Sequence, residues 1–80
     1  MRVLLADDHR LLLEGIRSVL EDEPDIEVVG EAHSGSQVLP LVNQLDPDVV
    51  LLDLRMPGMD GFACLELLRQ RYPGVKVVMV

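Results

Sequence analysis

The apolar positions change their period along the chain, and each change marks an element. Arg2–Ala6 (RVLLA) is short, apolar and followed by two acids, the pattern of a buried strand. Leu12, Ile16, Val19 and Leu20 then recur at i, i+4, i+7 and i+8. That spacing predicts a helix from about Arg10 to Asp22 with those side chains on its buried face. The run Glu21-Asp22-Glu23-Pro24-Asp25 breaks it, and Ile26–Ala32 alternates enough to be a second strand. Val38, Leu41, Val42 and Leu45 restore the helical spacing until Asp46-Pro47-Asp48 ends it. Val49–Leu52 (VVLL) is apolar at every position, as in a parallel strand covered on both faces. After the turn Met56-Pro57-Gly58-Met59, Asp60 is a candidate N-cap for a helix from about Gly61 to Arg71 that buries Phe62, Leu65 and Leu68. Pro73-Gly74 closes that helix, and Lys76–Val80 forms a fourth strand.

The order is therefore β-α-β-α-β-α-β with short connections, and right-handed crossovers make it a parallel α/β sheet. Two residues disagree with their surroundings. Gly15 lies inside the first helix, at a cost of about 1 kcal/mol relative to Ala. Pro40 lies inside the second, where it removes a backbone donor, so that helix is expected to start late, kink or fray.

Composition narrows the function classes. Leu, Ile, Val and Phe make up 30 of the 80 residues, which excludes a disordered chain. No apolar run exceeds four residues, so no segment is expected to span a membrane. The opening MRVLLADDH reaches two acids too early for a signal peptide, and a single cysteine, Cys64, allows no internal disulfide; the expected location is the cytoplasm. Fourteen acids against seven bases give a net charge of -7, which argues against direct contact with nucleic acid or an anionic membrane. Eighty residues make one small domain, burying only about 60–65% of its unfolded surface.

Polar groups leaving the carboxyl ends of neighbouring parallel strands converge in one crevice. The first strand delivers Asp7 and Asp8 there, and the third delivers Asp53. Acids after strands also serve as helix N-caps, and either Asp7 or Asp8 could do so. Asp53 resists that reading, because it ends a wholly apolar strand. Three carboxylates at close range require a proton or a cation among them. With only hard oxygens and no His or Cys convergent with them, the expected cation is Mg²⁺.

Asp7-Asp8-His9 after the first strand, with Val50-Leu51-Leu52-Asp53-Leu54-Arg55-Met56-Pro57-Gly58-Met59-Asp60-Gly61 around the third, closely resembles a response-regulator receiver domain of the NarL/FixJ type. The resemblance runs over the whole chain, 1–80. It implies a flavodoxin-like parallel sheet in the order 2-1-3-4, a partial receiver without the fourth helix, fifth strand and fifth helix. It implies that Asp53 is the phosphoacceptor, taking a phosphoryl group from a sensor histidine kinase. It further implies that Asp7, Asp8, Asp53 and the Arg55 backbone carbonyl hold Mg²⁺, and that the parent protein carries a DNA-binding domain. Such a module is a phosphoacceptor and not a turnover enzyme.

Family receivers close the fourth strand with Ser or Thr and the fifth with Lys, both touching the phosphoryl oxygens. The chain reaches Val80 without either, and Lys76 opens its strand at the far end of the sheet. The expectation is a module that holds the acid half of the site but not the switching half. It is also expected to self-associate through the exposed fourth strand and a bare sheet face. Two alternatives remain: a structural or assembly fragment without signalling, and an aspartyl-nucleophile phosphatase. The latter class resembles Asp-x-Asp-x-Thr, which Asp53-Leu54-Arg55 does not match. His9 reads as an exposed first-turn side chain, Cys64 as ordinary packing, and Met56 and Met59 as space-filling beside the turn. Arg69 and Arg71 suit a helix C-terminus, and His33 lies at the same edge as the acids.

Overall fold

In the computed structural model, which describes every residue except Met59 and Val80, β1 (Arg2–Ala6) lies between two parallel partners, β2 (Glu27–Ala32) and β3 (Val49–Leu52). The fourth strand, β4 (Lys76–Met79), pairs with the other edge of β3 and gives the order β2-β1-β3-β4. Three helices make the crossovers: α1 (Arg10–Glu21), α2 (Gly35–Leu45) and α3 (Gly61–Arg71). The expected parallel α/β sheet is present. β2 starts one residue later than its apolar pattern predicts, because the Ile26 N–H is taken by the Glu23 carbonyl (3.2 Å) in the preceding turn. The predicted end of β4 at Val80 and the turn position Met59 lie outside the described residues.

Strand alternation divides the core in two. On the α2/α3 side, Leu4, Ala6, Val50 and Leu52 pack with Val38 and Val42 of α2 and with Cys64 and Leu68 of α3. On the other side, Val3 and Leu5 meet Leu13 of α1, with Ile16, Leu20, Val49 and Leu51 only partly covered.

Three expectations about the helices are corrected. Phe62 is not buried; it stands 64% exposed, because the buried stripe of α3 runs through Gly61, Cys64 and Leu68. A residue one position off that stripe is turned by about 100° from it. In α1 the stripe runs through Leu13, Ile16 and Leu20, while Leu12 and Val19 face outward. With Leu11, Leu12, Leu13, Ile16, Val19 and Leu20 all apolar, the arc is wider than one sheet face can cover. Finally, α2 starts at Gly35 and continues through Pro40. Pro40 is exposed, and the carbonyl it leaves without an intrahelical donor belongs to exposed Ser36, where water can serve. The predicted stop holds: Asp46 caps α2 in the left-handed region, φ 51°.

Candidate functional site

The site follows from the register of two strands. Ala6 of β1 pairs with Leu52 of β3, so the next residues, Asp7 and Asp53, leave the sheet side by side. Both backbones stay anchored: the Asp7 N–H donates to the Ala32 carbonyl (3.0 Å) and the Asp53 N–H to the Ala6 carbonyl (2.9 Å). Asp7 is 4% and Asp53 9% exposed, whereas Asp8 is exposed. Asp7, Asp8, His9, Leu12, Asp53 and Arg55 line one open cleft of about 520 Å³.

The loop after β3 is shaped by its own acids. Asp53 Oδ1 accepts from the Arg55 N–H (3.0 Å), and Asp60 Oδ1 accepts from the Phe62 N–H (2.9 Å), so Asp60 is the predicted N-cap of α3. Gly58 takes φ 93°, a conformation that favours glycine, and the neighbouring Pro57 carbonyl accepts from the Gly35 N–H (2.9 Å). This ties the loop to the start of α2. Gly61 is packed against Leu54 so closely that an added Cβ would lie 2.6 Å from the Leu54 Cα. Met56 is buried as filler, as its position suggests.

Neither Asp7 nor Asp8 caps α1. The N-cap position is held by His9, whose side chain makes no capping bond. The His9 N–H and ring both engage Asp7 Oδ1 (2.8 Å each), and His9 Nδ1 is 3.2 Å from Asp8 Oδ1 and 3.6 Å from Asp53 Oδ2. The expectation that no His converges with the acids is therefore corrected. Sequence reasoning missed it because a residue directly after two acids reads as the first exposed turn of a helix. The signal available was adjacency: once the helix begins at Arg10, His9 is still on the acids' loop.

These contacts shift both groups. Burial alone would raise the Asp7 carboxyl, but the His9 N–H, the His9 ring and a hydrogen bond with Asp53 outweigh it and hold Asp7 below the usual carboxylate range. His9 is raised above the ordinary imidazole value, first by its bond to Asp7 and then by the charge of Asp8. His33, at the same edge, does not join the cluster; its Nε2 lies 3.3 Å from Glu31 Oε1 instead.

One donor atom from each of Asp7, Asp8, His9 and Asp53 lies within 4.8 Å of the others, close enough for a single cation to reach all four. Two of the carboxylates are buried on a rigid sheet edge, and their mutual repulsion favours a divalent ion, so the donor set fits Mg²⁺. Arg55 lines the same cleft, and its N–H donates to Asp53 Oδ1.

Comparison with known proteins gives a consistent picture. The response regulator receiver domain family matches residues 3–80. The nitrate/nitrite response regulator protein NarL of Escherichia coli is 46% identical over 77 residues, 96% of this chain and 36% of its own length. The transcriptional regulatory protein LiaR of Bacillus subtilis is 42% identical over all 80 residues, 38% of its length. The chain thus spans about a third of the curated relatives it matches. Among solved structures, the isolated receiver domain of RcsB from Salmonella enterica serovar Typhimurium, in the presence of phosphomimetic BeF3-, superposes with TM-score 0.93 at 33% identity, covering 99% of this chain and 59% of that one. The response regulator domain of Thermotoga maritima CheB gives 0.92 at 32%, covering 99% and 58%.

Proposed function

The chain belongs to the response regulator receiver domain family, and from that premise we propose that Asp53 is its phosphoacceptor and residues 1–80 its phosphoacceptor unit. The observation that carries this reading is the convergence of buried Asp53 with Asp7 and Asp8 on adjacent strand ends. An Asp53 carboxylate oxygen attacks the phosphorus of a phosphohistidine on a sensor histidine kinase. The P–O bond forms as the P–N bond breaks, the histidine leaves and takes up a proton, and Asp53 becomes an aspartyl phosphate. Asp7, Asp8, Asp53 and the Arg55 carbonyl would hold Mg²⁺ at this cleft. When bound, the ion would supply charge neutralisation where an anionic nucleophile meets an anionic phosphoryl group. Asp7, kept ionised by His9, preserves the negative charge that recruits it.

The unit works in the cytoplasm as a receiver and not as an enzyme, within a longer regulator of transcription whose DNA contacts lie in another domain. Relatives named as transcriptional regulators and the acidic charge of this segment support that reading. Among the described residues no helix is long and apolar enough to cross a membrane. Exposed Leu11, Val19 and Val78 on α1 and β4 make that face of the sheet the surface through which the unit self-associates.

Incubation with acetyl phosphate and Mg²⁺, read by intact mass, tests the proposal. A phosphoryl adduct that depends on Mg²⁺ and vanishes in Asp53→Asn is expected. It should form more slowly than in a receiver whose cleft also presents a hydroxyl and an ammonium, since the described cleft lining offers no Ser, Thr or Lys to the phosphoryl oxygens. An adduct that persists in Asp53→Asn overturns the assignment.

A further inference from the structure

We propose that Gly58 is a positioning residue for Asp53: its backbone lets the Pro57 carbonyl lock onto the first N–H of α2, and that lock holds the loop that aims the Asp53 carboxylate. This role rests on the reading of Asp53 as the phosphoacceptor. A ring of hydrogen bonds around the cleft carries it. The Asp53 N–H donates to the Ala6 carbonyl (2.9 Å), the Asp7 N–H to the Ala32 carbonyl (3.0 Å) and the Gly35 N–H to the Pro57 carbonyl (2.9 Å). Arg55 closes the ring, its N–H donating to Asp53 Oδ1 at 3.0 Å. That bond occupies one carboxylate oxygen and leaves Oδ2 toward the cleft, 3.6 Å from His9 Nδ1. The direction from which Asp53 meets phosphorus therefore follows the placement of the Arg55 backbone, which hangs between the end of β3 and the locked Pro57. A misplacement of about 1 Å at reacting atoms can cost about a hundredfold in rate.

Gly58 permits the lock through its conformation and not through its size. Its φ is 93°, where an L side chain is strained. An added Cβ would stand 3.5 Å from the Ser34 Cβ and 3.6 Å from the Gly35 and Ser36 nitrogens, which are ordinary contacts. Alanine would thus fit the space and still resist the angle. Relieving φ turns the Pro57–Gly58 peptide about its bond to the Gly58 Cα, and the Pro57 carbonyl oxygen belongs to that peptide. The oxygen then swings off the Gly35 N–H, and the loop loses its far anchor. The helix itself should survive, because Gly35 is the first residue of α2 and no intrahelical carbonyl claims its N–H.

The test breaks the lock from both sides in the full chain. Gly58→Ala strains it at the loop. Gly35→Pro removes the donor at a helix position that tolerates proline, after a Ser34 already extended at φ -150° and ψ 158°. Labelling by acetyl phosphate, in which Asp53 gains the phosphoryl group as acetate leaves, is followed by intact mass at saturating Mg²⁺ and a temperature where circular dichroism gives the wild-type helix content. Both variants should be labelled about tenfold more slowly than the wild type. In Gly58→Ala the Gly35 amide should also exchange its hydrogen about tenfold faster. Gly58→Asn, which accepts positive φ more readily, should return labelling to within about threefold of the wild type. Gly74→Ala, a turn glycine whose added Cβ would meet nothing within 4 Å, should stay within about twofold. A change that only destabilises the fold would lower the denaturant midpoint and leave the labelling of folded protein unchanged. Wild-type labelling in Gly58→Ala or in folded Gly35→Pro, or a defect that Gly58→Asn shares in full, overturns the proposal. If Gly35→Pro does not fold, Gly58→Ala against Gly58→Asn decides. Failure of the phosphoacceptor reading is separate: it appears as an adduct that persists in Asp53→Asn.

Discussion

On the side of the sheet covered by α2 and α3, ten residues from Leu4 to Leu68 are buried in one cluster, reaching up to Met56 beside the acids. On the α1 side, among the described residues, only Val3, Leu5 and Leu13 are buried, and Leu11 (83%) and Val19 (68%) stand in solvent. The strands are the same. In β3, Val50 and Leu52 are buried while Val49 and Leu51, pointing the other way, are not. The difference therefore lies in helix coverage and not in strand composition: two helices close one side, and one helix cannot close the other. The glycines report it too. A Cβ on Gly61, at the start of α3, would collide with Leu54, whereas one on Gly15 of α1 would meet nothing within 4 Å. The site draws its rigidity from the closed side, since Asp53 directly follows Leu52.

The largest effect expected from this contrast is in core truncation. Leu52→Ala removes a fully buried side chain beneath Asp53 and should cost about 2–5 kcal/mol, while Val19→Ala should stay within about 0.5 kcal/mol. Denaturant midpoints of the two variants check this, and equal losses would break the comparison. Next is self-association. Val19→Lys with Val78→Lys puts charge on exposed positions of α1 and β4 and should weaken assembly by about tenfold or more in sedimentation at micromolar concentration. A well-folded wild-type monomer would remove the α1 side as an interface. Third, Gly15→Ala should raise stability by about 1 kcal/mol, because the helix gains and nothing is displaced, whereas Gly61→Ala should lower it.

The closed side was also the more legible one. A four-residue apolar run ending in Asp53 leaves little choice about β3, and Asp60 followed by Gly61 marks the start of α3. What could not be read was helix phase. Phe62 and Val19 are apolar and fall near a buried stripe, and periodicity alone cannot say which edge of a wide apolar arc meets the sheet. Pro40 misled because propensity describes an isolated helix, while α2 is held by Val38 and Val42 in the core. The three acids of the site were legible from strand ends. The fourth member, His9, was not, because its proximity depends on a backbone that turns within two residues.

The smallest effect expected lies on the open side, where the ion pair Arg17–Glu31 links α1 to β2. Arg17 Nε donates to Glu31 Oε2 at 3.0 Å, and Glu31 also meets His33. Burial alone would raise the Glu31 carboxyl, but Arg17 and His33 hold it below its ordinary value of 4.5. A carboxyl lowered on folding adds stability that is present above that ordinary value and is lost as the pH falls through the lowered one. The coupling is modest, because both groups are partly exposed and Arg17 is shared with Glu21 at 3.7 Å. A double-mutant cycle with Arg17→Ala and Glu31→Gln isolates the pair from that competitor. It should return about 0.5 kcal/mol at neutral pH and low salt, and less at high salt. At a pH low enough to protonate Glu31 it should return nothing. A coupling that survives protonation would mean that α1 is fastened by packing alone, and that the open side holds its helix as the closed side does.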